Sequence, residues 1–351
     1  MSGHPYRDLD PLHFWSRSVA PIAFHELDPM RSASFSVSST DQVATLGSCF
    51  AQHLSRFLDR AGLNYFIAEE GGEELSGEER IRRNYGTFSA RYGNVYTVRQ
   101  AVQLFERAYG RREEGSEEIW FRDGVAVDCV RPQVEPDGFL DEEALRRDRV
   151  IHLAAVRRVF EDADVLVFTL GLTEGWRIRE NGLILPVVPG ASGGTYDAER
   201  YEFVNFRVHE VIADLGTFVE LVRSVNPACR IILTVSPVPL IATFTEEHVL
   251  SATTYSKSVL RVAAAEIAAS FPLVEYFPSF EVIVNSSAGG RYFADDLRSV
   301  TDEGVAHAMR VFAHHFLDQA PTIPGNGFEA SIRGEIGRVS QIVCDEEILG
   351  T

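Results

Sequence analysis

The sequence predicts an α/β protein, a three-layer α/β/α sandwich on a mainly parallel sheet. Strand-length apolar runs alternate with stretches whose apolar residues recur at helical spacing. Two of the runs, 164–170 and 230–235, are almost continuously apolar, as strands buried on both faces of a parallel sheet are. A glycine stands directly after the first strand-like run and another after the run at 164–170, which places turns at the strand ends where such folds bind ligands.

The elements follow in order. Val43-Ala44-Thr45-Leu46 reads as a short buried strand, and Phe50, Leu54, Phe57 and Leu58 then recur at helical spacing. Residues 64–67 predict a second strand and the acidic, glycine-containing stretch 69–79 a solvated loop. A helix is predicted over 97–109, carrying Val98, Ala101, Val102, Leu104 and Phe105. Residues 110–140 are charged and punctuated by glycine and proline around Gly124-Val125-Ala126-Val127, which predicts a small inserted β element. A long helix at 141–162 has an apolar face including Val150, Leu153, Val156 and Phe160. Helices at 205–225, 256–270 and 301–317 and a strand at 272–277 complete the alternation. One domain is expected over 1–320. The tail 321–351, poor in apolar residues at any period, is expected to wrap that domain or to be disordered.

Composition narrows the function. The 351 residues are 45% hydrophobic and carry 33 Lys and Arg against 51 Asp and Glu, a net charge of −18. That balance argues against nucleic acid or an anionic membrane as the main partner and does not forbid a nucleotide or a sugar in a local pocket. Residues 1–30 are polar and proline-bearing, without the pattern of a signal peptide, and no run approaches the ~20 apolar residues that span a bilayer, so a cytoplasmic location is expected. Cys49, Cys129, Cys229 and Cys344 lie far apart without CxxC spacing, so neither a disulfide framework nor a metal site is indicated, and no cofactor is expected.

The chemistry concentrates at Gly47-Ser48-Cys49-Phe50-Ala51, between the first strand and its helix. A nucleophile there sits at a helix N-terminus, where the dipole and free N–H groups favour a thiolate and a developing oxyanion. The layout resembles the nucleophile block of the SGNH (GDSL-type) hydrolases, and its letters are those that name the GSCFA family, which is related to them. The resemblance runs from about residue 5 to about residue 317. It implies an SGNH-like, flavodoxin-like α/β domain with Cys49 at the nucleophile position and Ser48 where those enzymes carry aspartate. Ser48 itself is a second candidate nucleophile, and a small buried cysteine in a tight turn is the plain structural alternative.

The further blocks follow in order. In Ser89-Ala90-Arg91-Tyr92-Gly93-Asn94-Val95-Tyr96-Thr97, the resemblance makes Gly93, with Asn94 beside it, the oxyanion or substrate loop; a capping turn using Asn94 or Thr97 is the alternative. Gly171-Leu172-Thr173-Glu174-Gly175-Trp176 stands in the place of a Gly-x-Asn-Asp block, so Thr173 would donate the hydrogen bond of the family's asparagine and Glu174 would follow as the acid. Trp176 offers a flat wall for a sugar or acyl group, or is a core or lid aromatic. Asp296-Leu297-Arg298-Ser299 aligns with the family's Asp-x-x-His, and Ser299 occupies the place of the histidine general base. His53, four residues after Cys49, and His307 are the candidate substitutes, although helical periodicity points His307 away from the buried stripe of its helix, toward solvent. Lys257, in Tyr255-Ser256-Lys257-Ser258, would bind an anion or act as a desolvated base, or is simply a solvated lysine early in a surface helix.

The reading is an acyl-ester hydrolase or O-acyltransferase, acting on a small-molecule or carbohydrate ester. Its alternatives are an inactive, ligand-binding relative, which the missing histidine favours, and a redox-sensitive thiol protein.

Overall fold

A computed structural model describes residues 4–318 and 345–349. Its central sheet has four parallel strands: β1 (Val43–Gly47), β4 (Val165–Leu170), β8 (Arg230–Val235) and β9 (Val274–Phe277), side by side in that order. The predicted strand at 64–67 shrinks to one parallel bridge, Tyr65 to Val43, on the β1 edge opposite β4. With that bridge counted, the chain runs outward in both directions from the β1/β4 pair. The crevice at such a reversal is where open α/β sheets place their ligands.

Alternation along the strands generates the layers. Ala44, Leu46, Leu166, Phe168, Ile231 and Leu233 face one hydrophobic cluster, and Val43, Val165, Val167 and Ile232 face the other. The first cluster is closed by α2 (Val98–Ala108), α3 (Glu142–Asp162), α4 (Val208–Val225) and α5 (Val249–Ser270). The second is closed by α1 (Ala51–Arg60), α6 (Asp302–Phe316) and the N-terminal segment around Leu27 and Val37. Helices on both faces of a parallel sheet make the predicted α/β/α sandwich.

Two smaller sheets sit outside it. β2 (Ile119–Arg122) and β3 (Val125–Asp128) form the hairpin of the insertion, and β5 (Glu174–Ile178) pairs antiparallel with both β6 (Ile184–Leu185) and β7 (Tyr201–Asn205). The β5–β7 sheet is absent from the sequence expectation, and the helix expected at 205–225 begins only at Val208 because 201–205 is the third strand of that sheet. The helix predicted from 256 begins at Val249. On α3 Val156 and Phe160 are buried as expected, but Val150 is 72% exposed and Leu145, Arg149 and His152 belong to the buried stripe. Glu69, expected in a solvated loop, is buried against His152, 2.8 Å away, and accepts the Arg91 backbone N–H at 2.7 Å. Of the predicted tail, 321–344 lies outside the described residues, and Asp345–Leu349 forms a short 3-10 turn.

Candidate active site

β1 and β4 end next to each other, and the chain leaves both through a glycine that space demands. Gly47 holds φ +132°, and a Cβ there would lie 2.1 Å from the Thr169 carbonyl oxygen. A Cβ on Gly171 would lie 2.9 Å from the Tyr96 carbonyl oxygen and 3.0 Å from the Ser48 Cβ. Close approach of the two exits brings Ser48 against Gly171, with the Ser48 N–H donating to Thr169 O at 3.1 Å.

Ser48 and Cys49 are both buried. Ala51, Gln52 and His53 donate their N–H groups back to the carbonyls of Ser48, Cys49 and Phe50, at 2.8, 3.1 and 3.1 Å, winding the turn into α1. Cys49 therefore lies in the turn at the amino end of the helix, not on its surface. The Ser48 Oγ and Thr169 Oγ1 are buried hydroxyls with no hydrogen-bond partner among the described residues.

The loop before α2 is stitched to both strand ends. Val95 N–H donates to Gly47 O at 2.8 Å, and Tyr96 O accepts the N–H groups of Gly171 and Leu172 at 3.1 Å each. Gly93 turns the loop with φ +69°, and Arg131 and Val134 of the insertion stand 3.6 and 3.7 Å from where its Cβ would be. Buried Asn94 accepts from Gln52 Nε2 at 3.2 Å and donates from Nδ2 to the Asp345 carboxylate at 2.7 Å. Helix capping in this stretch falls to Thr97, which forms a capping box with Gln100. Lys257, expected at a solvated helix start, is buried one-third of the way along α5 and donates from Nζ to Gly171 O at 2.6 Å. The structure thus gathers Ser48, Asn94, Gly171 and Lys257 around the ends of β1 and β4, with Cys49 in the turn next to Ser48.

Thr173 does not serve as the predicted donor. Its hydroxyl gives its proton to Asn205 Oδ1 at 2.7 Å, its N–H donates to Ser256 Oγ at 3.0 Å, and it is fully buried, pinning β5 to β7 and α5. Glu174 accepts from the Thr243 hydroxyl at 2.7 Å, and burial raises its carboxyl above the usual range. It lines an apolar cavity of about 320 Å³ with Leu172, Trp176, Phe203, Leu240 and Phe244. Trp176 meets Phe244 and Phe203 edge-on at 4.9 and 5.8 Å between ring centres, so it is a wall of that cavity and not an open stacking platform.

Both candidate histidines are held in the neutral form, and one of them is locked by hydrogen bonds. His307, expected to face solvent, is buried: its Nδ1 accepts from the Tyr292 hydroxyl at 2.6 Å and its Nε2 donates to Leu27 O at 2.9 Å. Desolvation, with Arg310 nearby, lowers its pKa to about 4. His53 is half-buried with its ring against Phe50, and desolvation and then Arg56 lower it to about 4. Asp296 and Ser299 lie on an exposed turn, where the Ser299 hydroxyl donates to the Asp296 carboxylate at 2.6 Å, helping to hold that carboxyl below its usual pKa. Arg298 ties the turn to Pro239 O at 3.2 Å, beside the loop that leaves β8. Burial raises the thiols of Cys129, well above the usual range, and Cys229, to about 12, which leaves both unreactive.

Sequence reasoning does not reach Gln52, the Tyr96 hydroxyl or Asp345. Gln52 lies one residue short of His53, whose titratable ring is the stronger chemical signal. Tyr96 falls inside the predicted loop, where nothing in the sequence gives its hydroxyl a role. Asp345 sits in a segment with no periodicity to mark it. Among the described residues, Asp28, His314 and His315 could together reach one metal ion, but they lie in the N-terminal segment and at the end of α6.

A parallel α/β sandwich whose first strand ends in a glycine-serine-cysteine turn, packed on a glycine at the end of the next strand, defines the class. The model of the GSCFA family matches residues 42–312, most of the chain, and the protein belongs to that family. Comparison with curated proteins gives no match. No helix among the described residues is long and apolar enough to cross a membrane.

Proposed function

We propose that the protein is an acyl-ester hydrolase or O-acyltransferase, acting on a small-molecule or carbohydrate ester through Cys49. The observation that carries this reading is the contact of Gly171 with Ser48, because the next residue, Leu172, already lines the apolar cavity of about 320 Å³. The residue that packs on the nucleophile turn and a residue that lines an acyl-sized cavity are then chain neighbours.

In the reaction, the Cys49 thiolate adds to the ester carbonyl, forming a carbon–sulfur bond as the carbon–oxygen bond breaks. The leaving alkoxide takes up the proton the thiol gave away. Water, or an acceptor hydroxyl, then attacks the thioester, gives up its own proton and releases the thiolate. With both histidines held neutral and one of them locked, Lys257 is our candidate to carry that proton or to balance the developing charge.

The test is intact-mass analysis after incubation with p-nitrophenyl esters of increasing chain length. We expect an acyl adduct on the peptide containing Cys49, absent in Cys49→Ala, and faster release with chains that fill the cavity. Unchanged turnover in Cys49→Ala, with no adduct on the wild-type chain, overturns the assignment.

A second reading, an inactive ligand-binding relative, is favoured by Ser299 standing where the related enzymes carry histidine. It predicts ligand binding without turnover and a gain of ester hydrolysis in Ser299→His. Cys49-dependent turnover by the unaltered chain excludes it.

A further inference from the structure

The described end of the chain packs on the loop before α2. Asp345 is buried; its carboxylate accepts from Asn94 Nδ2 at 2.7 Å and from the Tyr96 hydroxyl at 3.4 Å, and its own N–H donates to Tyr96 Oη at 3.1 Å. Gln52, bonded to Asn94 Oδ1 at 3.2 Å, fixes the amide so that its N–H₂ faces this carboxylate. Four residues on, Leu349 lies against the apolar cavity with Leu172, Trp176 and Phe244, and is still 40% exposed. The segment is a 3-10 turn, so these two side chains start about 8 Å apart along it, at ~2 Å per residue.

We infer that Asn94 and Tyr96 form a carboxylate subsite and that Asp345–Leu349 is its tethered competitor, standing in for a ligand that carries a carboxylate beside an apolar arm. The inference deepens the acyl-transfer reading, since it concerns the same cavity, but needs none of its chemistry. Two features favour a carboxylate over a neutral group. Oriented donors from a buried amide and a phenol converge on one oxygen, and the Lys257 ammonium is held on Gly171, whose own N–H is bonded to Tyr96 O. A chain carrying −18 overall has little general attraction for anions, so recognition here has to be local and geometric. The apolar arm is favoured because Leu349 touches a cavity walled by Trp176, Phe203 and Phe244 yet leaves it largely unfilled. Being part of the chain, the segment competes at a fixed local concentration that a weak free ligand must exceed.

Octanoate is a suitable probe, with octanamide as its uncharged control, titrated calorimetrically into the full-length Cys49→Ala chain so that no acyl chemistry intervenes. In that background Asp345→Ala should bind octanoate about tenfold or more tightly, with a smaller gain for octanamide. Adding Asn94→Leu should abolish the octanoate gain and spare octanamide binding. Because Asp345→Ala can perturb folding, the chain with Asp345 intact is also followed by hydrogen exchange, and saturating octanoate should accelerate exchange of the amides at 345–349. Equal octanoate affinity with and without Asp345, or exchange at 345–349 that octanoate leaves unchanged, overturns the inference. If the Cys49 thiol forms no adduct but octanoate displaces the segment, the acyl-transfer reading falls and the subsite stands. If an adduct forms and octanoate leaves the segment in place, the subsite falls and the acyl-transfer reading stands.

Discussion

His307 shows how periodicity can misplace one residue that is still informative. On the helical wheel it lies opposite Val305, Ala308, Met309 and Phe312, which predicts a surface position. The N-terminal segment covers that side of α6, and the Leu27 carbonyl meets the ring at 2.9 Å. A wheel cannot reveal a chain segment 280 residues away that packs on its polar face. Burial without a carboxylate partner has a pH consequence. An unfolded histidine protonates near 6.5, and folded His307 only near 4, so between those values the unfolded chain binds the extra proton. The contribution is complete above pH 6.5 and is lost as pH falls toward 4, amounting to about 3 kcal/mol for a shift of this size. His53 titrates in the same window, so the comparison must isolate one ring. Urea unfolding between pH 4 and 7 should show stability rising with pH, and His307→Gln should flatten that rise by about one proton. An unaltered slope would show that His307 is not depressed.

The elements that are legible in the sequence share one property: their signals are local. The ends of α2 can be read to within a residue because Thr97 and Gln100 form a capping box ahead of Val98 and the apolar stripe follows at once. The buried run of β8 marks it residue for residue. The β5–β7 sheet is invisible because Trp176 and Arg177 alternate with no strong period. Pairing between residues distant in sequence, Ile178 with Tyr201 and Glu174 with Asn205 among them, holds it together. The first turns of α5 escape notice because Ser251, Thr253 and Thr254 dilute them, while the cap comes from His248 Nδ1, which accepts the Leu250 N–H at 3.1 Å.

The β2–β3 insertion is legible as a β element, but its anchorage is not. Asp128, ending β3, accepts from Arg149 Nη2 and from Arg131 Nε at 2.7 Å each, and from Arg149 Nε at 3.1 Å, all buried. These guanidiniums hold its carboxyl far below the usual range against the cost of burial. Removing the shared anion leaves Arg131 with only Asp148 and Arg149 with only Glu114 as ion-pair partners, both partly exposed, among the described residues, so Asp128→Asn should cost about 3 kcal/mol in chemical denaturation. Combining it with Arg149→Met should cost less than the two single changes added, since the two side chains share the hydrogen bonds that each change removes. Strict additivity would mean that the cluster is not coupled.

At the scale of the whole molecule, the family match and the physical unit differ. The match begins at Gln42 and ends at residue 312, which takes in every strand of the central sheet. The parallel sheet and the two-sided core are legible from alternation within that region, whereas part of the cover on the second face comes from outside it. Val37 is buried in that cluster with Phe24, Met30 and Phe35 packed against it, and Leu27 is buried as well. Val37 donates its N–H to Phe316 O at 2.6 Å and bridges Leu317, while Arg230, at the start of β8, donates to Ser36 O at 2.6 Å. Deleting 1–41 would strip Val37 and the residues packed around it from the second cluster and take the Leu27 carbonyl from the buried Nε2–H of His307. Each fully buried aliphatic side chain lost removes about 1.5–3 kcal/mol, and an orphaned buried donor about 1–3 more, together comparable with the whole stability of an ordinary domain. The deleted chain should therefore lack a cooperative thermal transition and bind hydrophobic dye. Deleting only 1–10, which holds no buried residue from His4 onward, should leave the melting temperature within a few degrees of the full chain. If the chain lacking 1–41 melts cooperatively near the full-length temperature, the N-terminal segment is an ornament on a self-sufficient sandwich and not its outer layer.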